Sequence, residues 1–443
     1  MQSGGHGPLQ GLRVVELGTL IAGPFAGRLL AEAGADVVKI ESPGTGDPLR
    51  NWRKLYKGTS LWWYLQARNK RSVAVDLRQP QGQEIVRALS RRADIVIENF
   101  RAGQLERWDL GYERLAENNP ALILVRVSGY GQSGPYRDRP GFGSIGEAMG
   151  GVRYLTGEPN RPPCRVGISL GDSLASLYGV IGALMALRHR SETGRGQVVD
   201  VALYESVFSL LESTLTEFGM SGFIRERSGG ALPGIAPSNT YSCNDGGYIV
   251  IGANSDSIFR DLMRAIGRPD LASDPGLAHN AGRVGRAGEL DAVIGQWTAM
   301  RSLSEAVEAL TAAGVPAGRI YSIADIVKDA HYQARGMIEK ARLESGEEIL
   351  LPGLVPKLTE TPLCTRWIGP KLGEHTAEVL RELGYTDARQ RELRAQGVIA
   401  RAGCTCTKSR RETAFRRSRI SSPPWRRSRS STRFPAPGCR RSR

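Results

Sequence analysis

Asp172 follows Gly171 where apolar residues begin to recur at 174, 177, 181, 184 and 187, the stripe of a helix long enough to cross a domain. Free N–H groups and the macrodipole at a helix start favour a carboxylate that stays ionised. An ionised carboxylate is a competent nucleophile, and the same position equally suits an N-cap. In residues 17–24, LGTLIAGP, a strand ends and a helix opens at Pro24, a favoured first-turn residue, leaving backbone N–H groups unpaired near 21–23. Such donors can hold an oxyanion, although an ordinary strand-to-helix turn has the same composition. Gly129-Tyr-Gly131-Gln-Ser-Gly134 fits G-x-G-x-x-G after a predicted strand, but Pro135 and the charged run 136–140 follow where a dinucleotide site needs a helix. It reads as a turn. Arg71, Arg78, Arg101, Arg107 and Arg139 lie near predicted strand ends or loops, suited to phosphate and equally to solvent or ion pairs. The five histidines show no metal-ligand spacing and no Ser or Cys triad is suggested, so no metal site is expected.

The elements that must position these groups alternate. Residues 12–17, 36–40, 72–77, 94–98 and 122–127 read as strands, and 25–35, 81–92 and 112–118 as helices. That alternation predicts an α/β fold with a mostly parallel sheet covered by helices. Residues 228–237, SGGALPGIAP, read as a flexible loop. Beyond them a strand at 248–251 and helices near 257–266, 285–299 and 303–313 make a second, smaller unit. A strand pair near 341–351 and a helix at 375–383 can return to the first unit or to a symmetry mate. The divisions expected are a large domain at 8–205, a linker with the glycine loop at 206–240, a small α+β domain at 241–330, a return segment at 331–400 and a tail at 401–443.

At 443 residues the chain is long enough for two or three units and a large core. No run approaches the roughly 20 apolar residues of a membrane helix, and residues 1–8 lack a secretory pattern, so a cytoplasmic location and no membrane partner are expected. Six scattered cysteines predict reduced thiols. The net charge of +15 is uneven: residues 401–443 hold thirteen arginines, Lys408 and one acid, Glu412, a net +13 that leaves +2 on the first 400. A nucleic-acid partner is motivated by that tail alone. Its Ser/Arg/Pro composition, abrupt start and Cys404-x-Cys406 pair, too short for a finger, instead suggest a disordered, out-of-frame extension.

Eight blocks occur together: LRVVELGTLIAGPFAGRLLAEAGADVVKIE (12–41), GDP (46–48), NKRSVAVDL (69–77), ADIVIENFRAG (93–103), SGYGQSGP (128–135), GDSLASLYGVIGALMAL (171–187), TGRGQVVDVAL (193–203) and LGEHT (372–376). In that order they resemble the family III CoA-transferases, the group of formyl-CoA transferase, carnitine CoA-transferase and α-methylacyl-CoA racemase. The resemblance runs from about residue 7 to 399 and stops where the basic tail begins. It implies an interlocked homodimer with a Rossmann-like large domain, coenzyme A and acyl-CoA as substrates with no prosthetic group, and a carboxylic acid as acceptor. Asp172 corresponds to the family nucleophile, and the N–H groups of Ile21 and Ala22 to oxyanion donors. The CoA contacts would fall on Val75, Asp76, Leu77 and Arg78, on Asn99, Phe100 and Arg101, on Arg107 and Arg139, and near Ser42. Gly229, Gly230 and Gly234 are assigned to a substrate loop by composition and position.

Ile21 stands where formyl-CoA transferase has glutamine, and Phe142-Gly143 where it has a Tyr-Glu pair, which argues against oxalate. GFGSIGEAMGG (141–151) and GIAPSNTY (234–241) resemble members that use succinyl-CoA and dicarboxylates of four to six carbons. A racemase needs a proton-transfer pair at the α-carbon; the histidine that the racemases carry in the block matching 140–150 is missing here, and Glu147 is expected to be solvated.

Overall fold

Six strands rich in β-branched residues form one parallel sheet: β1 (Arg13–Glu16), β2 (Asp36–Glu41), β3 (Lys70–Ala74), β4 (Ile95–Glu98), β5 (Ile123–Ser128) and β6 (Val198–Ala202), in the order β3-β2-β1-β4-β5-β6. The register sets Val14 beside Val37 on one side and Ile95 on the other. Both faces are covered, which is why the central strands read as continuous apolar runs. The chain leaves β1 for β2 on one side and reaches β4 on the other, so the strand order reverses between β1 and β4. A crevice opens there, beyond the carboxyl ends of the strands, where open α/β sheets bind ligands. The computed structural model describes residues 7–400, which form one compact unit; the basic tail lies outside the described residues.

Three helices matter for the crevice: α1 (Ala22–Glu32), α2 (Gly143–Met149) and α3 (Leu170–Thr193). Sequence expectation starts α1 near Pro24, but it begins two residues earlier, with Ile21 as its N-cap. Neither β6 nor α2 is anticipated from sequence. The glycines of α2 and of its C-cap, poor helix formers, are used for close packing: a Cβ at Gly146 would lie 2.7 Å from the Leu203 side chain, and one at Gly150, the C-cap, 2.6 Å from Val207.

Helix α3 corrects the expectation that no segment is long and apolar enough to cross a membrane. Its 24 residues meet that test by length and composition. It lays Ala175, Gly179, Ala183 and Ala186 on the sheet, with Gly179 against Val125. Leu177, Tyr178, Ile181, Leu184 and Met185 are exposed.

A second, antiparallel sheet of Ser238–Ser242, Tyr248–Gly252 and Ala317–Arg319 carries helices Asp256–Ala265, Ala287–Ala299 and Leu303–Ala312 around its own core of Ile249, Ile251, Phe259, Leu262, Ile294 and Leu310. Ser255 caps the first of these helices, and Ser302 with Glu305 forms a capping box on the third. The chain then returns to the first sheet. After the hairpin Ile338–Arg342/Glu348–Pro352, helix Thr376–Glu382 covers β3, where the Ala74 N–H donates to Thr376 Oγ1 at 3.0 Å. Val379, Leu380, Leu393, Val398 and Ile399 join the core built on Val15, Val38 and Val96.

Candidate active site

The loop from β1 into α1 is held by polar groups from four directions. Asn99, just after β4, accepts from the Thr19 N–H at 2.7 Å and donates its side-chain amide to the Thr19 carbonyl at 2.9 Å. Gly18 is needed for this approach, since a Cβ there would stand 2.6 Å from Asn99 Oδ1. Asp47 accepts from the Leu20 N–H at 3.1 Å, Lys39 donates to the Gly18 carbonyl at 2.8 Å, and Gln66 donates to the Ile21 carbonyl at 3.1 Å. Leu20 takes a φ of 65°, a conformation non-glycine residues adopt only when surroundings over-determine it. Among the described residues no acceptor meets the N–H groups of Ile21 and Ala22. Two backbone donors are thus left unpaired by a loop that cannot easily rearrange.

Under the loop lies a fully buried ion network. Lys39 sits 2.9 Å from both Glu16 and Asp47, and Lys70 2.7 Å from Glu16 while donating to the Pro24 carbonyl at 2.6 Å. Burial opposes the charge on Lys39, but Asp47 and Glu16 outweigh it and its pKa is raised. Lys70 has less compensation, and burial pushes it down to about 8. Asp47 is drawn below the usual carboxylate range: burial raises it, but Lys39 and the Leu49 and Leu20 N–H groups win.

Asp172 enters from α3. It is the third residue of the helix, which begins at Leu170 after Ser169, so the N-cap reading is not realised. Glu147 of α2 supplies an acceptor instead, taking the Gly171 N–H at 3.3 Å. Contrary to the solvated role expected from sequence, Glu147 is buried (1% exposed), with Arg153 at 3.0 Å and Arg165 at 3.6 Å. The Asp172 carboxylate fits against α2 because position 143 has no side chain: a Cβ there would lie 2.1 Å from Oδ2. The Ser176 hydroxyl, one turn on, is 2.7 Å from both the Asp172 and Ala22 carbonyls and ties α3 to the start of α1. Burial and the neighbouring Glu147 charge raise the Asp172 pKa to about 6, with Arg165 opposing. The helix start therefore does not hold this group in the ordinary aspartate range as sequence suggests; it is still mostly ionised at pH 7.

These groups share one cavity of about 340 Å³, lined by Ile21, Ala22, Asn99, Phe100, Arg101, Arg139 and Asp172 among the sequence candidates, and by Arg53, Arg137 and Arg165 beyond them. Asn99 is there chiefly as a clamp on the loop. Phe100 is fixed by its N–H on Glu98 at 2.7 Å; burial pushes Glu98 up to about 7 against the pull of Arg126.

Other candidates lie outside this cavity. Val75 is core, and the backbone at Val75 and Asp76 is taken up by the return segment through the Val75–Ile399 bridge and the Asp76 N–H on Val398. Asp76 pairs with Arg78 at 2.8 Å, and Leu77 packs on the core. Ser42 belongs to a turn closed by the Gly46 N–H. Arg107 donates to Gln104 at 2.6 Å, while Arg71 pairs with Asp36, Glu378 and Glu382. Gly229 bonds to the Gly157 carbonyl, Gly230 packs on Asn239 and Thr240, and Gly234 borders a separate pocket near helix Ala287–Ala299. The G-x-G-x-x-G match is the expected turn: Gly131 and Gly134 take positive φ, and Ser128 accepts from the Gly131 N–H.

Sequence reasoning did not find Lys39, Asp47, Gln66 or Arg165, and it read Gly143 only as a mark of substrate preference, not as the space that Asp172 needs. Asp47 lies in the GDP block, but only the fold shows that it reaches Leu20.

The family model described as CoA-transferase family III matches residues 9–376. The chain is 50% identical to a succinyl-CoA–D-citramalate CoA-transferase of Chloroflexus aurantiacus, over 88% of this chain and 98% of that one. It is 43% identical to the beta subunit of a succinyl-CoA–L-malate CoA-transferase of the same organism, with the same coverage. Among solved structures it resembles a CAIB/BAIF family protein from Brucella suis, with a TM-score of 0.76 and 37% identity over 85% of this chain and all of that one.

Proposed function

The chain belongs to CoA-transferase family III, and from that premise we propose that it moves coenzyme A from succinyl-CoA to a dicarboxylic acid with Asp172 as covalent carrier. One observation carries this reading: a half-buried carboxylate shares a cavity with two unpaired backbone donors fixed in place. The relatives named for succinyl-CoA with D-citramalate and L-malate support the substrate class.

In the first step the Asp172 carboxylate adds to the thioester carbonyl, and the Ile21 and Ala22 N–H groups stabilise the oxyanion. Collapse breaks the C–S bond, giving an acyl-aspartyl anhydride and CoA thiolate. The thiolate then attacks the aspartyl carbonyl and breaks the anhydride C–O bond, so the donor acid leaves as a carboxylate and Asp172 holds CoA as a thioester. An acceptor carboxylate runs the same steps backwards. The thioester lost from the donor is regained on the acceptor, so no ATP is required. Arg53, Arg101, Arg137 and Arg139 supply cations for the CoA phosphates. No histidine lines the cavity, which leaves a racemase without its usual proton-transfer partner.

A homodimer is part of the proposal. The exposed face of α3, with Leu215, Phe218 and Met220 of helix Thr214–Ser221, is a broad apolar surface that a second copy would bury. Light scattering on the purified chain should give twice the monomer mass; a monomer at micromolar concentration rejects this part. The activity is tested by incubating succinyl-CoA with a panel of mono- and dicarboxylic acids and weighing the thioesters formed. Absence of any new thioester would refute it.

A further inference from the structure

Asp172 reacts with one carboxyl group, whereas a dicarboxylic acid brings two. The second remains ionised through both half-reactions, and in a partly desolvated pocket it needs a cation. In an extended four-carbon diacid the carboxyl carbons are three bonds apart, about 3.8 Å, the span of one trans peptide unit. The cation must therefore stand beside Asp172, not at the rim.

We propose that Arg165 is that cation and selects acyl groups bearing a distal carboxylate, an assignment that rests on reading Asp172 as the CoA carrier. Arg165 lines the cavity and its charge acts on Asp172. Of the two guanidinium groups facing Glu147, Arg153 makes the hydrogen bond, at 3.0 Å, and the Gly171 N–H donates to the other carboxylate oxygen. Arg165 stands farther off, with Nε at 3.6 Å, makes no hydrogen bond among the described residues and is 47% exposed on its side chain. Glu147 is thus already served, and its residual attraction holds Arg165 near Asp172 with donors free. Three of the other cavity arginines are engaged differently: Arg139 stacks on Tyr136 at 3.6 Å, Arg53 on Trp62 at 4.7 Å, and Arg137 lies 3.6 Å from Asp138. Arg101 is also exposed in the cavity, but it follows β4 and, unlike Arg165, is not among the charges acting on Asp172. A guanidinium with free donors suits a carboxylate because it can bind both oxygens at once.

The test compares succinyl-CoA with butyryl-CoA, which has the same chain length and a methyl group in place of the distal carboxylate. In a double-displacement reaction kcat/KM for the donor does not depend on the acceptor, so one fixed acceptor serves for both. Arg165→Gln should lower kcat/KM for succinyl-CoA about ten- to a hundredfold, the worth of a charged hydrogen bond, chiefly through KM, and leave butyryl-CoA within about twofold. Arg165→Lys should recover part of the loss. Equal losses for both donors, or no loss for either in a variant that melts like wild type, overturn the assignment. A wild-type chain that transfers CoA from neither donor instead overturns the reading of Asp172 on which it rests.

Discussion

Two irregular segments of this molecule, residues 18–21 and 228–237, are both connections between regular elements, and they are built in opposite ways. The first is buried over charged groups and gripped by Asn99, Asp47, Lys39 and Gln66. The second is largely exposed; short bonds such as Ala231 N–H to Ser228 and Leu232 N–H to Ser238 close its tip, and only neutral amides and Arg283 anchor it from outside, at Gly229, Gly234, Ala236 and Pro237. A site that must offer donors to a developing charge benefits from the first kind, because fixed dipoles need no reorganisation as charge appears. Glycine content alone points to the second loop, whereas polar clamping points to the first.

The contrast can be broken at several places. Asp172→Ala should reduce transfer by about 10⁴-fold or more, the scale of losing a covalent nucleophile, with an unchanged melting temperature, and hydroxylamine trapping during turnover should mark Asp172 in the wild type. Label on another residue would remove the carboxylate from its role. Asp47→Ala leaves Lys39 with one fewer buried partner and frees the Leu20 N–H; a loss of about 3–5 kcal/mol in chemical denaturation is expected, with activity down about a hundredfold. If activity survives while stability falls, the clamp serves the fold alone.

Gly143→Ala forces the Asp172 carboxylate to move and should lower kcat about ten- to a hundredfold while hardly altering the melting curve, which separates placement of the nucleophile from folding. For pH, ionised Asp172 is the reactive form, so kcat/KM should rise through an acid limb near 6. Glu147→Gln removes a negative neighbour and should move that limb down, whereas an upward move would exclude Glu147 as a cause. The sign for stability is opposite: between 3.8 and about 6 the folded chain holds a proton that the unfolded one releases, so this residue's contribution falls as pH rises through that window. Smallest of all, Gly234→Ala meets no atom within 4 Å and adds only the strain of its φ of 75°; transfer should change less than about threefold, given a cost near 1 kcal/mol. A tenfold loss would show that residues 228–237 act at the cavity after all.

Much of this was legible in the residues themselves. Alternation of β-branched runs with amphipathic stretches specifies five of the six parallel strands, and the eight ordered blocks specify the family. The run VVDVA at β6 is interrupted by Asp200 and half-exposed at the sheet edge, and GSIGEAM at α2 is glycine-rich, so the local signal of each is weak; each forms because neighbours pack on it. Arg101 and Arg139 could be placed in the cavity from their positions near strand ends, but the same argument also selects Arg71 and Arg107, which are used up in local contacts.

Sequence by itself determined five strands of the sheet and the family, and it singled out Asp172 as the candidate nucleophile, because these depend on periodicity and on side-chain chemistry within short spans. The tertiary structure decided the rest: that Lys39, Asp47 and Asn99 converge on one loop, that position 143 must be empty for Asp172 to fit, and that Glu147 is buried beside it. Those relations join residues up to 80 positions apart through packing and electrostatics in three dimensions, and no local pattern along the chain encodes them.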